Sequence, residues 1–179
     1  EVLDLSNQYL KEIKVFNAIE LVDKGWELLK MNKIDDANKA FFKSIEINPD
    51  SPLGYLGLGV VNNINGDIES KRQNYLKAVE VDPKLANAHY NLANMYAQDY
   101  SDYINAEKHY KIAIEIDSEF ASAYNNLGYM YTFKLNQYSK GEKSLENALK
   151  FSYKMPEEYL NLLYDNLTRV NMFLKDKKR

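Results

Sequence analysis

The 179-residue chain is long enough for one well-buried domain or a short repeat array, and 45% hydrophobic with 27% charged residues marks it as folded rather than disordered. A formal net charge of −3, with 20 Lys against three Arg, argues against nucleic-acid binding, which draws on a basic excess and bidentate Arg–phosphate contacts. The absence of Cys excludes disulfides, thiolate catalysis and Cys-ligated metals, and no apolar run approaches the roughly 20 residues that span a bilayer.

Val2, Leu5, Tyr9, Ile13 and Phe16 form an apolar stripe at helical spacing, so residues 1–17 are expected to form a leader helix that caps the first helical pair. From Ala18 the pattern is helix, short turn, helix, longer turn. A helix around 19–31 carries Leu21, Gly25 and Leu28 and breaks at Asn32-Lys33. Asp35 and Asp36 then sit where a new helix favours acids, and Ala37, Phe41, Ser44 and Ile45 lead to a stop at Asn48-Pro49.

The second copy repeats this layout with Tyr55, Leu58 and Gly59, a turn at Asn65-Gly66-Asp67, then Tyr75 and Ala78 before Asp82-Pro83. A third runs from Ala86 with a longer turn near 100–103, then Ala106, Tyr110 and Ala113. A fourth runs from Ala121 with an extra turn residue around 136–140, then Gly141, Leu145 and Ala148. Pro156, Glu157 and Glu158 start a last helix well. There Leu163 replaces the small residue of the copies, and no matching second helix follows before the basic end at Lys175–Arg179, which reads as a capping helix with a solvated tail.

The copies are in register. Residues 86–96 and 121–131 are identical at six of eleven positions, and the small residue recurs at Gly25, Gly59, Ala93 and Gly128, spaced 34, 34 and 35 apart. Such a period predicts an all-α solenoid whose short helical pairs bury their apolar faces only by stacking. Glycine inside a helix costs roughly 1 kcal/mol, so close helix packing has to compensate.

The motifs Tyr55-Leu58-Gly59, His89-Leu92-Ala93 and Tyr124-Leu127-Gly128, with Ala37-Phe41-Ser44 and Ala106-Tyr110-Ala113 in the second helices, resemble the tetratricopeptide repeat (TPR) family. The resemblance implies an α-α superhelix within one domain of residues 1–179. It has a leader at 1–17, repeats at 18–51, 52–85, 86–120 and 121–155, and a cap and tail at 156–179. Leu21 and Lys24 in copy one, Lys71 in copy two, and Ser118 and Tyr153 in place of terminal prolines depart from the pattern.

Chemistry is sparse. His89 and His109 occupy or adjoin aromatic packing positions, and a metal or nucleophile site needs more convergent partners. Gly54-x-x-Gly57-x-Gly59 has the wrong order for a phosphate loop and lies inside a helix, where Gly54 and Gly57 are expected to leave open surface or local flexibility. Asp35/Asp36 and Glu157/Glu158 suit helix dipoles, and the sequon Asn166-Leu167-Thr168 falls in mid-helix. No enzyme, cofactor or metal site is expected.

The family resemblance implies a concave groove lined by the first helix of each pair. The expected contact residues are Val22, Trp26, Leu56, Val60, Tyr90, Asn94, Asn125 and Tyr129. Val22, Trp26, Gly57, Asn87 and Asn91 stand where chaperone-tail binders of the family hold a carboxylate clamp, so that clamp is missing. The expected function is a non-catalytic scaffold for a protein or peptide partner, without nucleic acid or membrane insertion. The alternatives are a structural module that self-associates end to end, a homo-oligomer, or a targeting or regulatory region of a larger protein. A start at Glu1 fits a trimmed or processed chain, and a cytoplasmic setting is favoured.

Overall fold

In a computed structural model, which describes residues 2–176, the chain is built of helices. Four helix-turn-helix pairs succeed one another: α1 (Val2–Lys30) with α2 (Ile34–Ile47), α3 (Pro52–Asn65) with α4 (Ile68–Val81), α5 (Ala86–Gln98) with α6 (Tyr103–Ile116), and α7 (Ala121–Phe133) with α8 (Tyr138–Lys150). A 3-10 turn at Ser152–Lys154 leads into α9 (Glu157–Asp176). Among the described residues there is no strand, and no helix is long and apolar enough to cross a membrane.

The leader expected at 1–17 is not a separate element. With no Gly or Pro before Gly25 to interrupt the backbone ladder, α1 runs unbroken from Val2 to Lys30. The leader residues Val2 and Leu5 lie outside the residues whose side chains are described, and the end of the basic tail at 177–179 lies outside the described residues.

The turns repeat as faithfully as the helices. Inside each pair one residue takes the left-handed conformation: Asn32 (φ 57°), Gly66 (φ 74°), Ser101 (φ 52°) and Asn136 (φ 53°). Between pairs, Asn48, Asp82 and Asp117 end α2, α4 and α6 in extended conformation. Each side-chain oxygen accepts the N–H two residues on, from Asp50 (3.2 Å), Lys84 (2.9 Å) and Glu119 (3.0 Å). Pro follows the first two and Ser118 the third, yet the side-chain bond is the same, so the Asn or Asp forms the turn and Pro only stiffens it. Ser51, Asp67 and Asp102 cap α3, α4 and α6 by accepting the N–H of Gly54, Ser70 and Asn105.

The chain divides into two compact units, one up to Ala88 and one from His89. In the first, α1 packs on α2, α2 on α3 and α3 on α4. Phe41 of α2 is fully buried with Val22, Ala37, Leu58 and Val61. A Cβ on Gly25 would lie 2.5 Å from the Phe41 ring, and one on Gly57 would collide with it from α3. Gly54 and Gly57, expected to open the surface, are instead buried, because they are where α3 meets Ser44, Ile45 and Phe41 of α2. Lys71 is buried along its stem, with Nζ donating to Asn63 Oδ1 at 3.2 Å.

In the second unit, Ala93, Ala106, Tyr110, Leu127 and Met130 form one cluster, and Leu145, Ala148, Leu163 and Val170 belong to another. A Cβ on Gly128 would stand 2.7 Å from Leu145. Phe41, Tyr75, Tyr110 and Leu145 thus recur at spacings of 34, 35 and 35, and the small residues face them: Gly25 meets Phe41, Gly59 meets Tyr75, Gly128 meets Leu145, and Ala93 shares the cluster of Tyr110.

Candidate functional site

The second unit holds a cleft of ≈ 560 Å³. Ala97 and Gln98 of α5, Tyr110 of α6, Asn125, Asn126, Tyr129 and Met130 of α7, and Leu162 and Asn166 of α9 line it. Lys134 is the one charged side chain among the lining residues. Its polar wall owes its arrangement to helical spacing. Asn94 and Gln98 lie one turn apart on α5, and Asn125 and Tyr129 lie one turn apart on α7.

These side chains bond one another. The Tyr110 hydroxyl donates to Asn94 Oδ1 at 2.6 Å, and Asn126 Nδ2 donates both to the same oxygen (2.9 Å) and to the Tyr90 hydroxyl (3.1 Å). Asn125 Nδ2 donates to Asn126 Oδ1 (3.3 Å), and Asn166 Nδ2 donates to Asn125 Oδ1 (3.2 Å). Burial, before any other cause, raises the pKa of Tyr90 and carries that of Tyr110 well above the ordinary phenol range, so both rings keep their protons.

The expected contact residues fall into three environments. Tyr129 is 37% exposed at the cleft, while Tyr90 and Asn94 are half-buried and do not line it but bond to the wall residues Asn126 and Tyr110. Asn125 is 3% exposed, and its amide is engaged by both Asn126 and Asn166. In the first unit Trp26 and Val60 are half-buried, with the Trp26 ring edge-on to Phe41 at 5.1 Å, while Val22 and Leu56 are each 3% exposed. Asn126, Tyr110 and Asn166 belong to the wall, although sequence reasoning read Tyr110 as a packing residue and Asn166 as part of a sequon. The signal that could have found Asn166 is polarity: an amide on the inward face of an otherwise apolar cap needs a polar neighbour.

Elsewhere in this unit His89 Nδ1 and His109 Nδ1 lie 2.9 Å apart, so one ring donates to the other, and Tyr96 stacks on His109. Burial, then the proximity of His89 and Lys108, pushes the His109 pKa down to about 4. Among the described residues no group of three or more His, Asp or Glu gathers as metal ligands do.

Family models described as "TPR repeat" and "Tetratricopeptide repeat" match residues 63–99 and 121–154. No curated protein matches the chain in sequence. Among solved structures the chain is similar to MamA (22% identity, TM-score 0.66, covering 77% of this chain and 80% of that one). It is similar to Pseudomonas aeruginosa pilF (18% identity, TM-score 0.75, 92% and 74%). It is also similar to the first TPR of Spaghetti (RPAP3), solved bound to the HSP90 peptide SRMEEVD (19% identity, TM-score 0.55, 62% and 87%). At such identities the likeness is one of fold, an all-α helical-repeat solenoid.

Proposed function

The chain belongs to the tetratricopeptide repeat family, and from that premise we propose that it is a non-catalytic scaffold receiving a segment of another protein in the cleft of its second unit. The observation that carries this reading is the cleft itself, an open space of ≈ 560 Å³ walled by amides, phenols and apolar side chains. Such a wall suits a neutral polypeptide, because amides and hydroxyls both donate and accept while Met130 and Leu162 offer apolar contact. Trp26 and Val60 add half-buried apolar surface in the first unit, and Val22 and Leu56 act there only through packing. The TPR of Spaghetti was solved with an acidic peptide, but the residues here at the matching clamp positions are uncharged, so an acidic tail is not the expected ligand.

Tyr129 is the residue to test, since it is the most exposed of the expected contacts in this unit and its removal opens no core. A partner captured from source lysate should bind Tyr129→Ala roughly tenfold or more weakly by titration calorimetry, with the melting midpoint unchanged. Equal affinity places the partner on another face. One observation favours a second reading, end-to-end association: Tyr9, Leu10, Ile13 and Phe16 are exposed together on the first half of α1. A monomer by light scattering at high concentration removes that reading.

A further inference from the structure

We infer that the cleft selects an amide N–H donor, through an acceptor supplied by α9. This rests on the reading that the cleft receives a partner segment, and it names the chemical group that the cleft reads. The amides of its wall donate in one direction, towards Asn94 Oδ1, and the Tyr110 hydroxyl helps to hold that oxygen in place. This buried hydroxyl has a single proton, given to Asn94 Oδ1. Asn126 Nδ2 donates a second bond to that oxygen. Asn126 Oδ1 is thereby turned to Asn125 Nδ2, and Asn125 Oδ1 to Asn166 Nδ2.

The relay ends on Asn166 Oδ1. Asn166 is 1% exposed and lines the cleft, and this buried oxygen has no hydrogen-bond partner among the described residues. A buried, unpaired acceptor is a standing cost that an entering donor removes. A carboxylate brings only more lone pairs to it. An ammonium or guanidinium would leave water for a wall that contains Lys134 and no acid. A neutral amide N–H remains, from a main chain or from a Gln or Asn side chain.

The test uses the full chain, labelled with nitrogen-15, and four probes of one shape: isovaleramide, N-methylisovaleramide, N,N-dimethylisovaleramide and isovalerate. The two probes that carry N–H should shift the Asn125 and Asn166 side-chain amide signals saturably. They should bind roughly ten- to hundredfold more tightly than the other two. Preference for N-methylisovaleramide assigns a main-chain N–H, and preference for isovaleramide a side-chain carboxamide. Equal binding of the dimethyl probe, or no saturable shift at Asn166, overturns the inference. Asn166→Leu should erase the N–H preference, and Tyr110→Phe should free the relay to reverse and let isovalerate gain on the amides. A preference unchanged in both folded variants also overturns it. If either variant fails to fold, the four-probe series on the unaltered chain decides. A partner that depends on Tyr129 while the probes show no preference leaves the scaffold reading standing and removes this one alone.

Discussion

Four residues spaced 34, 35 and 35 apart, Asn32, Gly66, Ser101 and Asn136, reverse the chain inside the helix pairs from a conformation most side chains avoid. Glycine adopts it without steric cost, and asparagine tolerates it better than most. Nothing lies within 4 Å of a Cβ built on Gly66, so Gly66→Ala isolates the backbone effect from packing. It should cost about 1–2 kcal/mol, read as a lowered melting midpoint, and an unchanged midpoint means the turn is not left-handed. His109 makes a second residue-scale prediction. Its folded pKa, about 4, is depressed below the ordinary 6.5, so on acidification the unfolded chain takes up the proton first. The stability that depends on the neutral ring is complete above about pH 6.5, is lost as pH falls towards about 4, and changes no further below that. Thermal melts across this range should fall more steeply for the unaltered chain than for His109→Gln. Parallel curves would show that the ring, with His89, Tyr96 and Lys108 around it, does not oppose the proton.

At the scale of elements, each turn between repeats tests a single substitution. Asp117 makes the same side-chain bond as Asn48 and Asp82, but Ser118 stands where Pro49 and Pro83 follow those residues. Ser118→Pro should therefore stabilise by about 0.4–1 kcal/mol through the unfolded chain alone. A lowered midpoint in scanning calorimetry would mean that the third turn differs from its two neighbours. This turn also shows where sequence reading stops. Helix order and the small positions at Gly25, Gly59 and Gly128 were legible, because period and residue size act through sequence directly. The burial of Gly54 and Gly57 was not, since it depends on the neighbouring pair supplying Phe41 and Ser44. The continuity of α1 was hidden by the change of pattern at Ala18, which alters what the helix packs against and not whether it is a helix. Tyr129 was named through the family resemblance, while the part of Asn166 in the cleft was hidden, because only tertiary packing brings α9 to Asn125.

In a helical-repeat array a pair buries its apolar face against its neighbour, and in the second unit α9 continues that packing beyond α8. Leu163 and Val170 are fully buried in one cluster with Ala121, Leu145 and Ala148. With no further helix among the described residues to reach into the small-residue slot, Leu163 fills that space itself. Leu163→Ala should cost about 2–5 kcal/mol, from lost transfer energy and from the cavity left against Leu145. In an array with nearest-neighbour coupling that loss stays near the end where it is made. Hydrogen exchange should therefore quicken in α7, α8 and α9, while α1 and α2 keep their protection at the same denaturant concentration. Equal loss of protection from α1 to α9 would mean that the chain unfolds as one cooperative body. Exchange unchanged in α8 would mean that α9 does not hold the last repeat closed, and that the wall contributed by Asn166 is dispensable to the fold.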